Sequence, residues 1–249
     1  ESTVTPVALS GVIFDFDGVL ADSEPLHLRA YRDVLSKHGV ALDPDDYYAR
    51  YLGFDDVGVF QSIAHDQDWD LSEDTLIDLI RVKGKLFDEF VSSADTLFPG
   101  AANCVRTIAA ELPIAIASGA LIHEIETLLT TTNLRQHIRA IVASGDTPRS
   151  KPEPDPYLRA LELLRPCAAT DGHDPNGCFV AIEDSWWGIQ SAVKAGLHCI
   201  GIAQTPRAKL ETAHVVLPTI ADVTLDSLRQ LCTVPLDAGP VLCDNDMYL

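Results

Sequence analysis

The chain has 249 residues and carries 37 acidic against 18 basic side chains, a formal charge of -19. That surplus excludes bulk electrostatic attraction to nucleic acid or anionic membrane surfaces, and no uninterrupted apolar run of about 18 residues is available to span a bilayer. The length is ample for a well-buried core carrying a smaller insert.

In chain order, the first apolar run, 12–14, leads into Asp15, Asp17 and Gly18 within the stretch GVIFDFDGVLADSEPLH. A buried strand of an open α/β sheet points its carboxyl end into the crevice where ligands bind, so acids placed there meet a ligand. A turn beginning at once at Gly18 lets both carboxylates approach one centre. Two close carboxylates repel, which predicts a shared proton or a bound divalent cation. The alternative is a solvated turn rich in Asp and Gly.

The stretch 26–94 offers amphipathic segments and no convincing buried strand, so it reads as a helical insert. A periodic segment over 28–37 ends at Gly39, and Ser72 is a candidate N-cap for a long helix through Leu76, Leu79, Ile80, Leu86 and Phe90. The insert leaves directly after Asp17 and returns at Pro99-Gly100, so a lid that excludes water is expected. The alternative is a helical subdomain with no closing motion. From 97 onward, apolar runs at 114–117, 140–143, 178–182, 198–202 and 214–217 alternate with helical patterns at 101–110, 123–130, 156–164 and 188–195. That rhythm predicts a parallel sheet wrapped by helices.

Ser118 and Gly119 follow the 114–117 run, where the hydroxyl and the next amides can hold a phosphate oxygen at a helix start; the alternative is an ordinary N-cap serine. Lys151 lies in SKPEPDPY, whose prolines fix an extended entry into a helix at Tyr157 and aim the ammonium. Beside the acids it would neutralise both a nucleophile and an incoming phosphate; the alternative is a solvated lysine. Glu183 and Asp184 end the run 178–182 and repeat the strand-then-acid pattern. Four acids at the ends of two strands match an oxygen-rich magnesium site. Trp186 and Trp187 are expected to pack in or beside the helix that follows. The six cysteines, at 104, 167, 178, 199, 232 and 243, show no CxxC spacing, so neither a zinc site nor a disulfide framework is expected. No basic stretch followed by an apolar one opens the chain, and a cytoplasmic location is expected.

These segments resemble the haloacid dehalogenase superfamily, in its branch with a helical cap after the first strand, which includes phosphoglycolate phosphatase and β-phosphoglucomutase. DFDGVLADSEPLH resembles the first family motif, Ser118 in IASGA the second, Lys151 in SKPEPDPY the third and IEDSWWGIQSAVKAG the fourth. The resemblance covers nearly the whole chain. It implies an α/β fold with a Rossmann-like parallel-sheet core wrapped by helices and an inserted helical cap domain. The expected boundaries are 8–25 and 95–232 for the core, 26–94 for the cap and 233–249 for a C-terminal tail.

The resemblance further implies that Asp15 attacks phosphorus to form an aspartyl phosphate, while Asp17 protonates the leaving oxygen and later activates water. Magnesium would be held by the Asp15 carboxylate, the Asp17 main-chain carbonyl and Asp184, with Glu183 assisting from the surrounding shell. Ser118 and Lys151 would stabilise the phosphoryl oxygens. His27, Ser23 and Lys83 fall where β-phosphoglucomutase has a cap-closing histidine, a hinge hydroxyl and a cap lysine, so His27 and Lys83 are candidate substrate contacts. Asp56 in the loop LGFDD stands where that mutase uses an arginine for the distal phosphate, and Ala120, Leu121 and Ile122 replace its polar run. A carboxylate there repels a second phosphate. The expectation is a magnesium-dependent monomeric phosphatase of a small phosphorylated metabolite, a sugar phosphate or phosphoglycolate. A sugar-phosphate mutase and a noncatalytic metabolite-binding protein of the same fold remain as alternatives.

Overall fold

The computed structural model describes residues 8–51, 54–93, 96–205 and 209–236. The chain divides into one compact unit running up to Asp22 and from Thr96 onward, and a second formed by Ser23–Asp95. Elements follow in chain order. Strand β1 is Leu9–Phe14; helix α1 is Glu24–Ser36; a short α2, Pro44–Asp46, runs into a wide π-helical turn, Tyr47–Tyr51; α3 is Asp56–Asp66 and α4 is Glu73–Ser93. The first unit resumes with α5 (Ala101–Ala109), β2 (Ile114–Ala117), α6 (Ile122–Thr131), β3 (Ala140–Val142), α7 (Asp155–Thr170), β4 (Cys178–Glu183), α8 (Trp186–Lys194), β5 (His198–Ile202), β6 (Val215–Leu217) and α9 (Leu225–Leu231).

Among the described residues, six strands form one sheet in the order β3-β2-β1-β4-β5-β6. Every pairing is parallel, as expected where helical crossovers return each strand in the same direction. Strand β2 and the three residues before Glu183 in β4 are wholly buried, which explains why they read as continuous apolar runs without alternation. Helix α7 covers β1, β2 and β3, and α8 covers β4 and β5. Their inward side chains, Tyr157, Leu161, Leu164 and Ile189, join Ile13, Phe179 and Ala181 in one apolar layer. The strand order reverses between β1 and β4. Phe14 pairs with Ile182 there, and the Asp15 amide donates to the Ile182 carbonyl at 2.9 Å. The two acid-bearing strand ends therefore lie side by side at the topological switch point, where open α/β sheets bind ligands.

The chain leaves the first unit after Asp22 and returns at Thr96, and these points are tied together. The Asp22 amide donates to Thr96 O at 2.8 Å and the Phe98 amide to Leu20 O at 3.0 Å. The second unit builds its own core from Leu28, Tyr31, Leu35, Tyr47, Phe60, Ile63 and Leu79. Ser72 caps α4 by accepting from the Thr75 amide at 3.2 Å. Helix α3 starts at a comparable cap, with Asp55 Oδ1 accepting from the Gly58 amide at 2.7 Å. Leu52 and Gly53 of the LGFDD loop, Ala94 at the cap boundary, and Gly239, Pro240 and Cys243 of the tail lie outside the described residues.

Two expectations are corrected. Helix α7 does not end at 164 but continues through Pro166 to Thr170, because Ala168 is buried beyond the proline and its packing offsets the lost backbone bond. Trp186 and Trp187 lie in α8, as expected, as its first two residues; they are 38% and 59% exposed and meet each other edge to face at 4.9 Å. The cysteines also include a disulfide, Cys178–Cys232, with its Cα atoms 5.8 Å apart. That separation suits a disulfide. The two positions are 54 residues apart in sequence and meet only because α9 returns to the start of β4, so no local spacing announces them. No helix among the described residues is long and apolar enough to cross a membrane.

Candidate active site

The site is assembled at the carboxyl ends of β1, β2 and β4. Asp15 follows β1 directly and is 8% exposed. Its Oδ1 accepts from the Phe16 amide at 2.7 Å and lies 3.0 Å from Lys151 Nζ. Lys151 bridges from there to Glu183 Oε1 at 2.6 Å, and the same oxygen accepts from Tyr157 OH at 2.6 Å. The second oxygen of Glu183 accepts from the Asp184 amide and the Ser185 hydroxyl, each at 3.3 Å. Glu183 is wholly buried, and its contacts orient Lys151 toward Asp15.

Asp184 stands beside this pair, with its Oδ2 accepting from the Thr205 hydroxyl at 3.0 Å. Ligand-capable oxygens of Asp15, Glu183 and Asp184 all lie within 4.8 Å of one another. Burial, then Asp15, then Glu183 raise the Asp184 carboxyl well above the usual carboxylate range. Burial and Asp15 push Glu183 up to about 7 against the opposing pull of Lys151 and Tyr157. Burial alone would lower the Lys151 ammonium, but Asp15 and Glu183 outweigh it and hold its pKa above the ordinary lysine value. One ammonium thus faces three carboxylates, and the charge deficit together with an all-oxygen donor set fits a hard divalent cation such as magnesium.

Two glycines are required by this crowding. A Cβ on Gly18, whose φ is +79°, would sit 2.0 Å from Asp184 Oδ2, and one on Gly188 would sit 1.8 Å from Glu183 Oε1. Any side chain at either position displaces an acid of the cluster. The turn after Asp17 is held by Gln204, whose amide donates to Gly18 O at 3.0 Å and Val19 O at 2.9 Å while its oxygen accepts from the Ile220 amide at 3.0 Å. Asp17 is half-buried in that turn, and its carboxylate is outside the three-acid cluster.

Ser118 is buried at the end of β2, donates its amide to Val142 O at 2.9 Å and accepts from the Ala120 amide at 3.1 Å through its hydroxyl. It is not a helix cap. Helix α6 begins only at Ile122, after Leu121, whose amide donates to Glu124 Oε2 at 3.3 Å. Gly119 follows in an open turn where an added Cβ would meet nothing within 4 Å.

His27 and Lys83 belong to the second unit and form a separate cluster there. Lys83 is 1% exposed and its Nζ lies 2.8 Å from both Asp56 Oδ1 and His27 Nδ1. Tyr31 OH donates to the same Asp56 oxygen, and the His27 ring stacks on Phe87 at 4.0 Å. Neither residue is a plain helix-surface group. Tyr157, Gln204 and Thr205 carry site contacts that sequence reasoning missed. A signal existed for the last two, since they follow β5 as the acids follow β1 and β4, and polar residues at a buried strand's end are candidates on the same grounds.

The sequence profile of haloacid dehalogenase-like hydrolases matches residues 12–202. Hexitol phosphatase B of Escherichia coli (strain K12) is 31% identical over 229 residues, which cover 91% of this chain and 96% of that protein. Fructose-1-phosphate phosphatase YqaB of the same strain is 30% identical over 193 residues, 78% of this chain and 96% of its own. The crystal structure of CbbY from Rhodobacter sphaeroides in complex with phosphate superposes with a TM-score of 0.74 at 26% identity, covering 88% of this chain and 98% of that one. The matched span runs from β1 through β5 and holds Asp15, Ser118, Lys151, Glu183 and Asp184, and the chain belongs to the haloacid dehalogenase-like hydrolase family.

Proposed function

We propose that this hydrolase is a phosphoric monoester hydrolase that releases inorganic phosphate from a small phosphorylated metabolite, a sugar or polyol phosphate or phosphoglycolate, with magnesium bound. The observation that carries the proposal is Lys151, held between Asp15 Oδ1 and Glu183 Oε1 at 3.0 and 2.6 Å beside a third, half-buried acid. Such a centre is anionic when empty and accepts a phosphate group only through added positive charge. Asp15, Asp184 and the Asp17 carbonyl would hold the cation, whose chemistry is to neutralise the phosphoryl oxygens as a Lewis acid.

Asp15 is the nucleophile in this reading. Its carboxylate is fixed by the Phe16 amide and Lys151, which reduces the reorganisation needed to attack phosphorus. The phosphorus–oxygen bond to the leaving group breaks as the aspartyl phosphate forms, and Asp17 delivers the proton to the departing oxygen. Asp17 then takes a proton from the water that cleaves the acyl phosphate. Lys151 and the Ser118 hydroxyl hold phosphoryl oxygens through both steps. Glu183 and Tyr157 act through Lys151 and are positioning residues.

The names of the relatives, hexitol phosphatase and fructose-1-phosphate phosphatase, support hydrolysis of a sugar or polyol phosphate. Hydrolysis rather than mutase chemistry is also supported by the cap unit, where Lys83 already pairs with Asp56 and so has no spare charge for a second phosphate. The test is phosphate release from hexitol phosphates, fructose 1-phosphate, phosphoglycolate and β-glucose 1-phosphate, with and without magnesium. Metal-dependent release that Asp15→Asn lacks supports the proposal. Isomer interconversion outpacing release, or full activity of Asp15→Asn, overturns it.

A further inference from the structure

The opposite end of the sheet carries a device that the hydrolytic site does not use. Residues 232, 234 and 236 are laid across the amino ends of three neighbouring strands, one anchor per strand. Cys232 is joined to Cys178, the first residue of β4. Val234 O accepts from His198 Nε2 at 2.7 Å, and His198 is the first residue of β5. Leu236 O lies 3.3 Å from Nε2 of His214, which immediately precedes β6. The segment winds off the end of α9 through turns, the Thr233 and Val234 amides donating to Gln230 O at 3.0 Å and Leu231 O at 3.1 Å, and the three anchors hold it to the sheet.

The histidine tautomers follow from their partners. A carbonyl can only accept, so His198 carries its proton on Nε2, and the same holds for His214, whose Nδ1 accepts from the Cys199 amide at 3.0 Å. Burial lowers the His198 pKa despite the bond to Val234, which keeps the ring neutral. Its Nδ1 therefore presents a lone pair, and it lies 3.5 Å from Cys178 Sγ. A disulfide sulfur has no proton to donate into that lone pair, whereas a thiol has one. The pocket around Cys178 thus already contains the acceptor that its reduced form would use.

We propose that Cys178–Cys232 is a reversible thiol-exchange site, with His198 as the proton acceptor of Cys178 and the segment 232–236 as a strap that the disulfide latches across the sheet. The reductant is a dithiol. Cys232, the C-cap of α9, is 6% exposed and Cys178 7%, so exchange proceeds through opening of the strap: the reductant's thiolate attacks Cys232 Sγ, the S–S bond breaks, and the electron pair leaves on Cys178 Sγ. Cys178 takes up the proton released by the dithiol and donates it in a hydrogen bond to His198 Nδ1. The second dithiol sulfur displaces Cys232 as a thiol and closes the reductant's own disulfide, so two electrons and two protons pass to the protein. On reoxidation His198 takes the Cys178 proton and generates the attacking thiolate. Cys178 and Glu183 are the two ends of β4, so the latch is set at the far end of the strand that carries the acids.

The test uses the full chain. Alkylation under denaturing conditions without reductant, read by mass spectrometry, should protect Cys178 and Cys232 and label Cys104, Cys167 and Cys199. Native protein in dithiothreitol should then label at Cys178 and Cys232, lose roughly 10 °C in Tm, and show amide exchange in 228–236 faster by about tenfold or more. An oxidised dithiol should restore all three readings. Cys232→Ser should show the reduced behaviour throughout and ignore the reductant. His198→Gln, which keeps a donor for Val234 O, should slow reoxidation by about tenfold or more, consistent with the role of thiolate fraction in exchange. The proposal is overturned if both cysteines label without reductant, if native protein resists the dithiol until it unfolds, or if reduction leaves exchange in 228–236 unchanged. Those three outcomes are read on the wild-type chain and do not depend on any variant folding.

Discussion

Each unit of this protein holds a lysine, Lys151 half-buried and Lys83 buried, against acid, and the two arrangements differ in their charge balance. In the first unit Lys151 faces Asp15 and Glu183, with Asp184 alongside. In the second, Lys83 pairs with Asp56, with His27 at 2.8 Å and the Tyr31 and Phe87 rings 4.9 and 5.3 Å from its ammonium. The first cluster has more negative charge than it can neutralise, which adds to burial in raising both Glu183 and Asp184. The second is balanced within itself. A surplus invites a cationic ligand, whereas a balanced pair fixes packing and needs none. Burial of a lysine therefore does not identify a ligand site; the count of opposing charges around it does.

The largest expected effect comes from removing the central acid of the unbalanced cluster. Asp15→Asn should lower turnover by about 10⁴-fold or more, the scale on which loss of a nucleophile acts, with unchanged far-UV circular dichroism. Next is the balanced pair. Asp56→Asn leaves the Lys83 ammonium buried beside neutral partners, which should cost about 3–5 kcal/mol in urea denaturation. The double variant Asp56→Asn/Lys83→Met removes the stranded charge and should recover most of that loss. If the single and double variants were equally destabilised, Asp56 would matter for packing rather than for charge.

The surplus itself can be titrated with metal. Magnesium at about one hundred times its Kd should stabilise the first unit by about 2.7 kcal/mol through preferential binding to the folded state. Asp184→Asn should abolish that shift in a thermal melt and need not be active to be informative. An unchanged metal-induced shift in Asp184→Asn would remove Asp184 from the cation's ligands.

Much of this was legible in the residues. Strands β2 and β5 have the bounds their apolar runs predict, because fully buried parallel strands are continuous in hydrophobicity and bounded by polar turns. Asp15 and the pair Glu183 and Asp184, distant in sequence, were readable together because each stands at the end of an apolar run, and Lys151, which ends no strand, joined them through the resemblance of SKPEPDPY to the third family motif. Helix α9 and the short α2 escaped notice, since a few residues give too little periodicity to count. Cys178–Cys232 escaped because pairing depends on the return of α9, which no spacing encodes. Asp56 was recognised as a repelling carboxylate, but its pairing with Lys83 was not, because the contact joins two helices whose register only the folded unit sets. Gly188 carried the least visible constraint of all: its missing side chain makes room for Glu183.

The smallest effect is the sharpest test of the comparison, because the two clusters should answer pH with opposite signs. In the first unit Glu183 is raised from 4.5 to about 7 in the folded state, so over that window the folded chain holds a proton that the unfolded chain releases. Its contribution is fully present below pH 4.5 and is lost as pH rises through about 7. In the second unit His27 is lowered below 6.5 by burial and then by Lys83. There the unfolded chain takes the proton first, so stability is lost as pH falls below about 6.5. Each slope is bounded at about 1.4 kcal/mol per pH unit per group. The three tryptophans separate the readings: Trp69 reports the second unit in a Trp186→Phe/Trp187→Phe background, and the exposed pair reports the first in Trp69→Phe. His198, also lowered, acts in the first unit with the sign of His27, so the first reporter is read in a His198→Gln background; urea midpoints between pH 5 and 7 in the absence of divalent cation should then fall with rising pH for the first reporter and rise for the second. Magnesium should flatten the first slope, since a bound cation favours ionised acids, and leave the second untouched. Slopes of the same sign would mean that the two clusters are not distinguished by their charge balance.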